Sequence, residues 1–186
     1  MNANDLQEVL KAYLQSFPTE SFEVLGGQLM RGDVMNNRQT LPGHVTGSAF
    51  VLSPDRTKLL LVKHKVLQMW FQPGGHWDPG EADPLAAAQR EAEEETAVTV
   101  KTYLALDPSS PLVPMDIDSH VIPANPQKDE PEHWHHDFRY VFVAANEDFV
   151  RQETEVDDIG WFALDTPQCQ ALGILAKLQA RDLVKY

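Results

Sequence analysis

Three glutamates, Glu91, Glu94 and Glu95, stand at i, i+3 and i+4 near the end of the stretch Gln72 to Val98, QPGGHWDPGEADPLAAAQREAEEETAV. On a helix, at roughly 100° per residue, they fall on one face within about 100° of each other. In an isolated helix each such pair repels by up to about half a kcal/mol, and a shared divalent cation relieves that repulsion. Donors that are all oxygen suit Mg²⁺, or Mn²⁺, rather than zinc. The helix has its start signals in place: Asp83 is a good N-cap, and Pro84 suits a first helical position where no amide donor is needed. From Leu85 it is expected to run to about Thr96, with Leu85, Ala88 and Ala92 as a narrow apolar strip for packing. Three glutamates alone would suit a solvated acidic face. The Gly74-Gly75 turn, the loop after it and the Arg90-Glu91 pair in register with the later acids point to chemistry instead.

These residues resemble the Nudix hydrolase signature: Gly, five residues, Glu, seven residues, then Arg-Glu-apolar-any-Glu-Glu-any-Gly-apolar. Gly75, Glu81, Arg90, Glu91, Ala92, Glu94, Glu95 and Val98 match it. Two positions depart: eight residues separate Glu81 from Arg90, and Ala97 stands where the pattern has Gly. The extra residue falls in the loop before or at the Asp83 cap, so the spacing of the glutamates survives. Ala97 is expected to force a different helix exit, because a left-handed residue other than Gly costs on the order of 1 kcal/mol. The resemblance implies Mg²⁺ (Mn²⁺ as the alternative) held by Glu91, Glu94, Glu95 and the Gly74 carbonyl. Glu91 would orient the attacking water or accept its proton, and Arg90 would fix the carboxylates. It further implies help from a late-loop glutamate, Glu153 or Glu155.

The implied activity is Mg-dependent hydrolysis of a diphosphate linkage in a nucleoside diphosphate derivative. ADP-ribose or another nucleotide sugar is favoured, because Pro114 lies 16 residues beyond Val98, where ADP-ribose pyrophosphatases of the family carry a proline, although prolines crowd this stretch. The alternatives are a nucleoside triphosphate pyrophosphohydrolase of the nucleotide-cleansing type and a non-catalytic nucleotide sensor. An isopentenyl-diphosphate isomerase needs a catalytic cysteine, and Cys169 is far from the signature. The substrate side is expected to include Arg139, Trp70 and His76; Trp70, Phe71, Trp77 and Trp134 are all able to stack on a base or fill a core.

The elements that must position these residues follow from patterning. Asn4 to Phe17 reads as an amphipathic helix, with Leu6, Val9, Leu10, Tyr13, Leu14 and Phe17 at three- and four-residue steps, packing on the domain or on another subunit. Ser21 to Leu41 is mixed and polar, a second short helix or a loop. His44 to Leu52 and Lys58 to His64 read as a β-hairpin around the turn Ser53 to Arg56. Val98 to Leu106 is a further strand. Asp116 to Ile122 and His133 to Val143 alternate, so Asp116, Asp118 and His120 share one face and His133, His135, Asp137 and Arg139 another, and the two strands are able to pair. Their common polar face is a solvated surface, the substrate wall of a cleft, or a separate transition-metal site. Glu153 to Phe162 reads as an acidic loop and a short strand. A last helix from Thr166-Pro167 carries Leu172, Leu175, Leu178 and Leu183, slightly weakened by Gly173.

The sum is an α/β fold: a Nudix-type α/β/α sandwich with a mixed sheet and an N-terminal helical extension. Residues 1–43 form that extension and residues 44–186 the catalytic domain. A net charge of −13 argues against nucleic acid and anionic membrane as partners, leaving a small nucleotide. One cysteine excludes an internal disulfide, and with no signal-peptide pattern or membrane-length apolar run a cytoplasmic protein is expected. A homodimer is left open.

Overall fold

The computed structural model describes residues 1–151 and 156–185, the side chain of Lys128 excepted. Glu153 and Glu155, expected as late-loop acids, lie outside the described residues. Two helices come first, α1 (Ala3–Ser16) and α2 (Glu23–Arg31), then strands β1 (Gly43–Leu52), β2 (Lys58–His64), β3 (Trp70–Phe71) and β4 (Gly74–His76). Helix α3 (Pro84–Thr96) leads to β5 (Val100–Tyr103), β6 (Asp116–Ile122), β7 (His133–Ala144) and β8 (Val156–Ala163). Two short helices, α4 (Pro167–Ala171) and α5 (Leu175–Gln179), follow.

The eight strands make one mixed sheet, with β1 and β7 running parallel at its centre over their whole shared length, Gly43↔Trp134 to Leu52↔Val143. Both central strands change their outer partner halfway along. β1 pairs with β4 at Thr46 to Ser48 and with β2 only at Val51 and Leu52. β7 pairs with β6 from His133 to Arg139 and with β5 from Phe142 to Ala144. The sheet therefore forks at Ala49, whose amide donates to the Pro73 carbonyl at 2.9 Å. The expected β1–β2 hairpin exists, but β4 takes the first half of its inner strand.

Period-two alternation sends the apolar residues of the central strands to two faces. Val45, Ala49, Val51, Phe138, Tyr140 and Phe142 pack with Ala87, Ala88 and Ala92 of α3 and with Leu6, Val9, Leu10, Tyr13, Leu25 and Leu29 of the first two helices. The N-terminal helices thus complete the core of their own chain. On the opposite face Phe50, Leu52, Val141 and Val143 meet Cys169, Ile174 and Leu178. Helix α3 lies close on β1 because Gly47 has no side chain there: a Cβ would sit 2.4 Å from the Pro84 carbonyl oxygen.

Three local expectations are corrected. The single C-terminal helix is two short ones, because the chain turns at Gly173, with φ of 73°. The α3 exit is not rerouted. Ala97 itself takes the left-handed C-cap, φ 52° and ψ 17°, and its amide donates to the Glu93 carbonyl at 2.8 Å. The strand expected over Val98 to Leu106 shortens to β5, whose register with β7 shifts between Val100 and Thr102. Left-handed alanine is disfavoured against glycine on the order of 1 kcal/mol. Ala97→Gly is therefore expected to raise the urea midpoint by an amount corresponding to up to about 1 kcal/mol, with an unchanged m-value.

Candidate active site

Helix α3 starts as its sequence dictates, with Asp83 Oδ1 accepting from the Ala86 amide at 2.9 Å and Pro84 at the first position. Its acidic face looks toward β4, the glycine segment laid along β1. The organising group is Arg90. Its Nε donates to Glu81 Oε1 at 2.7 Å and its Nη2 to Glu81 Oε2 at 3.3 Å, a two-point grip on one carboxylate. Nη1 donates to Glu91 Oε1 at 2.9 Å and to Glu94 Oε2 at 2.8 Å, and Nη2 also donates to the His76 carbonyl at 3.0 Å. The carboxylates around it, Glu81 above all, raise the guanidinium pKa further above its ordinary range. Glu81 also accepts from the Asp78 amide at 2.7 Å, so the loop with the extra residue closes on itself and still delivers Glu81 to Arg90.

Glu95 reaches the glycine segment directly: its Oε2 accepts from the Gly74 amide at 3.1 Å. The contact at Gly74 is thus through N–H. Gly75 lets the helix acids approach, since a Cβ there would lie 2.2 Å from Glu91 Oε1. Counting formal charges, Glu81, Glu91, Glu94 and Glu95 bring four negatives and Arg90 one positive. The excess is what a divalent cation offsets, and the donors are carboxylate and backbone oxygens, the set that Mg²⁺ and Mn²⁺ prefer.

The residues expected on the substrate side are not brought together. Trp70 packs on Phe162, ring centroids 4.6 Å apart, on the sheet face away from α3. Arg139 is not presented as a free phosphate binder. It donates to Asp137 Oδ2 at 3.0 Å, to Asp116 Oδ2 at 3.2 Å and to Asp118 Oδ2, with only 14% of its side chain exposed. The β6–β7 pairing does form the expected polar face, Asp116 opposite Arg139 and His120 opposite His135. Thr46 Oγ1 and Ser48 Oγ of β1 donate to Asp137 Oδ1 at 3.0 and 2.8 Å, and Lys177 of α5 donates to Asp116 Oδ1. The face is an ion-paired network rather than a bare solvated surface. Trp77 is buried, with Nε1 donating to the Glu81 carbonyl at 3.3 Å, so it serves the core and not a base.

His76 stands apart from Trp70 and Arg139. Its carbonyl is held by Arg90, while its ring lies across β4 from the carboxylates, stacked on His44 at 5.1 Å. Burial lowers its pKa, and lowers those of His44 and His135 to about 4 and about 2. Alternation along β7 is enough to put His135 on a polar face, whereas His44 joins it only through the parallel pairing His44↔His135, which no local pattern in the sequence signals.

Cys169 is fully buried on the far side of the sheet, and burial pushes its thiol pKa up. It has no access to the acidic helix, which removes the cysteine that isomerase chemistry needs. A thiol reagent is expected to leave the native protein unlabelled and to modify one thiol on unfolding; rapid native labelling would contradict this burial.

Residues 43–180 match the family model of the NUDIX domain. A probable DHNTP pyrophosphohydrolase of Lactococcus lactis subsp. cremoris is 29% identical over 159 residues, covering 86% of this chain and 80% of that protein. Among solved structures, a NUDIX-family hydrolase from Clostridium perfringens superposes with a TM-score of 0.56 at 23% identity, covering 76% of this chain and 98% of that one. An Ap4A hydrolase of C. elegans superposes at 0.51 with 19% identity, covering 74% and 96%. At these identities the structural likenesses establish the fold.

Proposed function

The chain belongs to the NUDIX family, and from that premise we propose that it is a pyrophosphohydrolase cleaving a diphosphate linkage in a small nucleotide derivative at the acidic face of α3. The observation that carries this reading is the grip of Arg90 on Glu81, Glu91 and Glu94 beside the Gly74-Gly75 segment. Phosphoryl chemistry of this kind is mostly positioning and charge neutralisation, and the site is built for both. Glu91, Glu94, Glu95 and the Gly74 carbonyl would hold Mg²⁺ or Mn²⁺. Such an ion, when bound, offsets the charge of the diphosphate oxygens and lowers the pKa of water. Glu91, lodged against Gly75, is the residue we assign to orient the attacking water or take its proton. Arg90 acts as a positioning residue. It fixes the rotamers of Glu91 and Glu94 and ties them to β4 through the His76 carbonyl.

Two substrate classes are supported by different observations. The Lactococcus relative is named a probable DHNTP pyrophosphohydrolase, which favours release of pyrophosphate from a nucleoside triphosphate or a related compound. Pro114, 16 residues beyond Val98, favours ADP-ribose or another nucleotide sugar. A hydrolysis screen with Mg²⁺ across both classes separates them, with Glu95→Gln as control. Glu95→Gln is expected to lower kcat by at least about 100-fold with an unchanged circular dichroism spectrum, and a fully active Glu95→Gln protein would overturn the assignment. Arg90→Lys keeps the charge but not the fork. It is expected to lower kcat more than it raises KM, since it disorders the acids without removing a donor to the metal; equal activity would contradict the positioning role.

A further inference from the structure

Five of the seven histidines gather on the sheet face opposite α3. His44 stacks on His76 and on His133 at 5.1 Å each and lies 4.7 Å from His135, and His120 joins at 5.9 Å from His135. Four strands supply them: β1 gives His44, β4 gives His76, β6 gives His120, and β7 gives His133 and His135. Among the described residues, the possible metal-ligand atoms that come within 4.8 Å of one another are those of His44, His76 and His135. The glutamates of α3, held around Arg90, make no such grouping.

The arrangement is a poor apolar core. His44 is 1% exposed, and neither of its ring nitrogens has a hydrogen-bonding partner. The Thr40 backbone is near enough to act on the ring, but not at hydrogen-bonding geometry. A buried polar atom left unmatched costs about 1–3 kcal/mol, and neutral imidazole has a lone pair that a cation would satisfy. His133 adds a second sign. Its Nδ1 lies 2.8 Å from the Pro131 carbonyl oxygen, so that nitrogen carries the proton, and its Nε2 is left facing His135 Nε2 at 3.2 Å. A backbone carbonyl behind one ring nitrogen is the usual support for an imidazole that ligates through the other.

We propose that His44, His76 and His135 form a transition-metal site of the class that takes Zn²⁺, Co²⁺ or Ni²⁺, with His133 as its fourth ligand, separate from the carboxylate site on α3. All-imidazole donors select these ions over Mg²⁺. For His44, His76 and His135 the geometry needs only local closure. A point equidistant from three nitrogens 4.8 Å apart is ~2.8 Å from each, so each closes by at most ~0.7 Å to reach a Zn–N distance of about 2.0–2.1 Å. The partly exposed edges of His76 and His135 leave a way in. A bound ion would pin β4 to β1 and β7. Because the His76 carbonyl also receives Arg90, it would stiffen the carboxylate site from behind.

The test is a Co²⁺ titration of the chelator-stripped full chain followed by visible absorption, with Zn²⁺ as competitor. One equivalent is expected to give the intense d–d bands of a four- or five-coordinate nitrogen site, abolished by Zn²⁺. The double variant Glu91→Gln/Glu95→Gln is expected to keep the bands, and His76→Gln and His135→Gln to lose them or bind at least 10-fold more weakly. If His135→Gln does not fold, His76→Gln, at the rim, decides alone. The proposal is overturned if wild type gives no such bands, if they survive in His76→Gln, or if the glutamate variant loses them.

Discussion

The site depends on one guanidinium holding several like charges together. Arg90 is the cation among Glu81, Glu91 and Glu94, and the same side chain reaches the backbone of β4 at His76. Two unit charges about 4 Å apart near a protein surface interact by about 4 kcal/mol at an effective dielectric of 20, before solvent screening reduces it. Without Arg90 the acids would turn out to water. With it they stay near the glycine segment, still carrying a net negative charge. That residual charge would draw a divalent ion, and the ion in turn a polyanionic substrate. It also explains why an acidic protein can act on an anion, since the attraction comes from the ion and not from the surface.

The forked sheet places the two partners of this arrangement. Because β1 gives up β2 at Ala49 and takes β4 below it, the glycine segment is laid beside α3 rather than left in a loop. Gly47 and Gly75 then let helix and strand come within contact distance. The same fork opens the other face of β4 to β7. There Arg139 and Lys177 satisfy Asp116, Asp118 and Asp137, a set running from buried Asp137 to half-exposed Asp118 whose charges are paired and hydrogen-bonded. Such a network fixes geometry more than it adds stability.

Much of this was legible in the chain. The α3 cap, its span and the order of its acids are local properties, and they appear where the periodicity put them. The pairing of Asp116–Ile122 with His133–Val143 followed from matched alternation. What was not legible was long-range. Nothing local indicates that His44 lies beside His135, that β4 displaces β2 from half of β1, or that Arg139 faces three acids instead of solvent. Ala97 failed for a different reason: a rule worth about 1 kcal/mol cannot redirect a helix end that the packing of α3 already fixes. Gly173 failed the opposite way, as five-residue helices on either side had little cooperativity to resist a left-handed glycine.

The central claim, that the acids gathered by Arg90 are the metal-holding catalytic face, is tested most directly by locating the ion. Anomalous scattering from crystals grown with Mn²⁺ and a non-hydrolysable diphosphate analogue gives its position without reference to rate. A manganese peak is expected against Glu91, Glu95 and the Gly74 carbonyl, with the analogue's diphosphate beside it and Arg90 still on Glu81. Manganese absent from that face, with the diphosphate bound elsewhere on the sheet, would contradict it.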